Sequence, residues 1–80
     1  MPTVLRTGPF RFSFFNNENN EPPHIHVHAG GNQAKYWLDP IVLERNYGFN
    51  LHELRKIKSI IEEHQGDLLG EWNDYFENTI

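Results

Sequence analysis

Apolar and polar residues alternate through the first half of the chain and recur at helical spacing through the second. Phe10-Arg11-Phe12-Ser13-Phe14 sets three phenylalanines on one face of an extended strand, with Arg11 and Ser13 on the other. A shorter β-leaning run at 3–6 precedes it across a Gly8-Pro9 turn. His24-Ile25-His26-Val27-His28-Ala29 alternates again, and Gly30-Gly31-Asn32 supplies residues that tolerate the positive φ of a tight hairpin. The return strand at 33–38 places Ala34, Tyr36 and Leu38 on one face, opposite Lys35, Trp37 and Asp39. Pro40 interrupts the pattern, and Ile41-Val42-Leu43 resumes as a short edge strand. Between the second and third strands, residues 16–23 are mostly Asn, Glu and Pro. Asn competes for local backbone bonds and Pro lacks a donor, so that segment predicts a surface loop able to close over a ligand.

The period changes at Asn50. Asn50 and Glu53 have capping-box spacing, and Phe49 with Leu54 fits a hydrophobic staple around the same helix start. Leu54, Ile57, Ile60, Ile61 and His64 then recur at helical spacing. Gly66 predicts a stop or kink and Asp67 a new start, followed by a second stripe of Leu68, Leu69, Trp72, Tyr75 and Phe76. The expected architecture is α+β: a small antiparallel sheet of three to four strands within 3–44, packed on one face by two C-terminal helices at about 51–65 and 67–78. Eighty residues allow a single domain, 1–80.

Composition narrows the chemistry. Without cysteine there is no disulfide framework and no thiolate ligand. Neither a signal-peptide pattern nor an apolar run of about 20 residues is visible, which predicts a cytoplasmic protein without a membrane span. The formal net charge of −4 argues against a large nonspecific phosphate-binding surface, though not against a small pocket with its own local charge. Five histidines make the surface charge sensitive to mild acid.

The histidine strand carries the candidate chemistry. In an extended strand His24, His26 and His28 share one face, about 7 Å between alternate residues. Zinc or manganese would accept such imidazoles, with His28 or a side chain from elsewhere (Glu21, Asp39 or His64) completing the set. A metal-bound water would then act as nucleophile, with Glu21 or Asp39 as general base. That is the outline of a metal-dependent hydrolase or nuclease, with RNA or a nucleotide as substrate. Arg11 and Arg6 should project away from the phenylalanines and, on the histidine face, would bind a phosphate. Trp37, left exposed, would be a contact for a protein partner. His52 reads as solvated, and His64 as a hydrogen-bonded, half-buried residue of the first helix.

Two resemblances accompany this reading. The string His24-Ile25-His26-Val27-His28 resembles the nucleotide-hydrolase histidine triad, which implies His26 as the nucleophile on phosphorus. It departs from that family at Gly30 and at Pro22-Pro23, and here the motif precedes the helices. A resemblance to a small bacterial family, domain of unknown function 4160, covers nearly the whole chain. It rests on four blocks and a C-terminal pair: Met1-Pro2-Thr3-Val4, Glu21-Pro22-Pro23-His24-Ile25-His26-Val27, Ala34-Lys35-Tyr36-Trp37-Leu38, Gly48-Phe49, and Trp72 with Tyr75-Phe76. That resemblance implies a small partner protein encoded nearby, in the manner of toxin–antitoxin gene pairs. It makes His24 and His26 the family-wide residues and His28 particular to this chain.

Overall fold

Five strands lie side by side in chain order, each antiparallel to the next: β1 (Thr3–Thr7), β2 (Phe10–Ser13), β3 (His24–Ala29), β4 (Asn32–Leu38) and β5 (Ile41–Tyr47). Two helices follow, α1 (Leu51–Glu63) and α2 (Gln65–Glu77). This is a computed structural model, and it describes residues 3–15 and 21–77. The asparagine-rich stretch at 16–20, with Glu18, and Met1-Pro2 lie outside the described residues.

The sheet has one strand more than the upper expectation, and its last strand runs to Tyr47 rather than ending near residue 44. The cause is local. Lys35 pairs with Arg45 and Tyr36 with Leu43, so Glu44 is an extra residue bulged out of β5. The bulge resets the alternation, and a period-two pattern read through Leu43 does not continue into Arg45 and Tyr47. Gly30 and Gly31, both at positive φ (55° and 92°), form the two-residue turn between β3 and β4, the combination a type I′ hairpin demands.

One face of the sheet carries Phe12, Ile25, Val27, Ala34, Tyr36 and Leu38, all buried against Ile57, Ile61, Leu68 and Trp72 of the helices. Each large apolar side chain enclosed this way stabilises the fold by about 1.5–3 kcal/mol. Phe14, just beyond β2, meets Trp72 edge-to-face with ring centroids 5.3 Å apart. Polar ties fix the layers. The Tyr36 hydroxyl donates to the Leu54 carbonyl (3.1 Å), and the Gln65 amide donates to the Leu38 carbonyl (2.6 Å).

The Asn50–Glu53 capping box forms in both directions. Gly66 is not the helix stop. His64 caps α1, its N–H reaching the carbonyls of Ile60 and Ile61 from a non-helical ψ of 13°. Gly66 then lies in the first turn of α2, which begins at Gln65. Among the described residues, no helix is long and apolar enough to cross a membrane.

Candidate functional site on the outer face of the sheet

The strand registers assemble the second face of the sheet into rows. Directly paired residues share a face, so each row can be followed from strand to strand. One runs Arg6, Arg11, His28, Gln33, Tyr47. The next runs Thr3, Ser13, His26, Lys35, Arg45. A third joins His24, Trp37 and Val42. Arg11 therefore stands on the histidine face, directly opposite His28. Arg6 stands opposite Arg11 in turn. Among the described residues, neither arginine has a carboxylate within ion-pairing distance.

The three histidines occupy different environments. His24 is fully enclosed: its ring lies 4.8 Å from Trp72, 5.7 Å from Trp37 and 5.2 Å from His26, centroid to centroid. Its Nδ1 is 3.0 Å from the Pro22 carbonyl oxygen. A carbonyl can only accept, so Nδ1 is the donor and carries a hydrogen. His26 is half-buried and stacks on Phe15, rings 3.7 Å apart and 5° from parallel. His28, also half-buried, lies further along the same phenylalanine at 5.8 Å.

Among the described residues, no three His, Asp or Glu side chains come together as a group able to hold a metal ion. The expected ligand set of His24, His26 and His28 is not assembled there: the His24 and His26 rings lie 5.2 Å apart, but His24 turns its ring against Trp72 and His26 stacks on Phe15. Of the two carboxylates expected as general bases, Glu21 lies beside His24 and Asp39 does not. Glu21 Oε1 accepts from the Lys35 ammonium at 2.7 Å and stands 3.6 Å from His24 Nδ1. Asp39 is exposed in the turn between β4 and β5. His64 caps α1 through its backbone N–H, and it lines a separate cleft with Val4, Leu5 and Asp67.

Lys35 is only 4% exposed, though it lies on the outer face. Its ammonium is held between the Glu21 carboxylate and the Trp37 ring, 4.8 Å from the ring centre. Trp37 is half-buried by these contacts. Arg45 bonds Glu44 at 2.9 Å on the exposed end of the face. That bond holds the Glu44 carboxyl below its ordinary range, and the bonds to Glu44 and Tyr47 raise the Arg45 guanidinium further.

Two clefts open on this surface. One, about 180 Å³, is lined by Thr3, Arg11, Ser13 and His28. The other, about 240 Å³, has Phe15, His26, Gln33, Lys35, Arg45 and Tyr47 around it. Sequence reasoning missed Phe15, Gln33, Arg45 and Tyr47. Phe15 was legible, because it continues the Arg11, Ser13 alternation; Arg45 and Tyr47 were hidden by the bulge. Chemically, the face combines guanidinium, imidazole, hydroxyl and aromatic groups, suited to an anion flanked by planar rings.

A family model described as Domain of unknown function (DUF4160) matches residues 10–73. No curated protein and no solved structure matches the chain.

Proposed function

From the premise that this chain belongs to the DUF4160 family, we propose that it is the toxin-like member of a two-protein system and binds a phosphate-bearing ligand on its outer sheet face. The observation that carries the reading is the Arg6, Arg11, His28 row. Like charges directly opposite one another destabilise a sheet. A bound anion removes that cost, and a guanidinium meets phosphate through paired hydrogen bonds. The cleft beside the row adds the hydroxyls of Thr3 and Ser13 as donors.

The protein-partner half of the reading is supported by the family resemblance. It is also supported by apolar surface at the sheet edge, where Val42 (48% exposed) stands beside Trp37. Coexpression with the product of the adjacent gene should give one comigrating complex on a sizing column; two independent species would overturn it.

The ligand half is tested by titrating isotope-labelled protein with inorganic phosphate and pyrophosphate. Saturable shifts are expected at the amides of Arg11, Ser13 and His28, and they should vanish in Arg11→Glu. Spectra that do not move would overturn the reading.

A further inference from the structure

Resting on that phosphate reading and extending it, we infer that the outer face takes a single-stranded oligonucleotide, with phosphates on Arg6 and Arg11 and a base in the cleft beside Tyr47. Arg6, Arg11, His28, Gln33 and Tyr47 are consecutive across all five strands. Its cationic end therefore continues directly into the larger cleft. Adjacent strands lie about 4.8 Å apart, so Arg11 and Gln33 are separated by about 10 Å. That distance suits a phosphate and a base of the same or the following nucleotide.

The composition of the larger cleft is that of a base site rather than a second phosphate site. Its two cations are already engaged, Lys35 by Glu21 and Arg45 by Glu44. The other groups around it are planar and amphipathic. Tyr47 is 56% exposed, Phe15 and His26 form a stacked pair in the wall, and the exposed Gln33 offers an amide donor and acceptor to a base edge. At about 240 Å³ the cleft falls below the roughly 300–1,000 Å³ typical of sites for drug-sized ligands, the scale of one base rather than a larger cofactor. Aromatic stacking with flanking cations is the usual way a protein holds single strands.

The acidic balance of the chain does not oppose this. Residues 48–80 contain seven acidic and three basic residues, while residues 1–47 contain four of each. The net charge of −4 thus belongs to the helical half, and all four basic residues of the strand half lie on the outer-face rows. A strand of nucleic acid approaching that face meets cations, with the helices behind the sheet.

The test compares two ligands on the same protein: a short labelled oligouridylate and an inorganic polyphosphate of similar charge, with oligothymidylate as the deoxyribose arm. Oligonucleotide should bind more tightly than polyphosphate, and more weakly as salt rises. Tyr47→Ala and Gln33→Ala should each weaken the oligonucleotide at least about fivefold and leave polyphosphate unchanged. Arg11→Glu should weaken both. Tyr47 and Gln33 are exposed, so their variants should keep the parental melting temperature, measured alongside. Polyphosphate binding that needs Arg11, with an oligonucleotide affinity indifferent to Tyr47→Ala, would overturn this inference and leave the phosphate reading standing. Binding of neither ligand would overturn both.

Discussion

Lys35 and Glu21 form an ion pair at 2.7 Å in which the ammonium is enclosed and the carboxylate is 40% exposed. The asymmetry decides what each mutation does. Glu21→Ala leaves an enclosed ammonium beside the Trp37 ring without its carboxylate and should cost about 1–3 kcal/mol, between the values for exposed and fully buried pairs. Replacing both residues, with Lys35→Met in the Glu21→Ala background, should recover most of that loss, because no enclosed charge remains. Urea melts of the single and double variants measure it. A double variant no more stable than Glu21→Ala would refute the account.

His24 and His26 should separate into a structural and a surface histidine. His24→Ala removes a fully enclosed ring from the Trp37 and Trp72 contacts and should lower stability by about 2–4 kcal/mol. His26→Ala loses a half-exposed stack on Phe15 and should cost about 1 kcal/mol or less. Thermal melts of both, side by side, check the order.

Tyr36 predicts an alkaline weakness. Burial pushes its phenol above the ordinary value, and its hydroxyl donates to the Leu54 carbonyl, which a phenolate cannot do. The folded value lies above the unfolded one. Its contribution is therefore complete below about pH 10 and lost as pH rises through the folded value. Tyr36→Phe should cost about 1 kcal/mol near neutrality and lose less than the parent between about pH 8 and about pH 10.5. Denaturant midpoints at the two pH values give the comparison, and equal losses would disprove the assignment.

Gly48 stands at φ +104°, and a Cβ built there would run into the Asn32 side chain. Next to it, the Asn46 side chain grips the Phe49 backbone twice, donating to the carbonyl at 2.9 Å and accepting from the amide at 3.1 Å. Gly48→Ala should therefore destabilise by at least about 1 kcal/mol, measured by the shift in melting temperature. An unchanged melting temperature would mean that the junction adapts freely.

What the sequence made legible follows from which signals are local. Alternation alone put Ile25 and Val27 on one face and His26 and His28 on the other, and the Asn50–Glu53 spacing located the start of α1. Register is not local. That Arg11 faces His28 depends on how β2 slides along β3, and two separate strand patterns do not contain that offset. The enclosure of His24 was illegible for a related reason: period two gave its side but not the arrival of Trp72, 48 positions further along the chain. Lys35 likewise was assigned to an outward face, where Glu21 and Trp37 nonetheless enclose it. The boundary at His64 lacked any marker, since histidine is a common interior residue of helices and Gly66 offered a stronger false one.

The bulged Glu44 also governs how molecules meet one another. β5 is the sheet's last strand, seven residues long, and without an irregularity its outer backbone groups would offer a straight template to any extended chain. The extra residue kinks that template and mounts a carboxylate and a guanidinium on its midpoint. Deleting Glu44 would straighten the border and leave Val42, Leu43 and Tyr47 along an uninterrupted margin, so the purified deletion variant should form cross-β aggregates that the parent avoids.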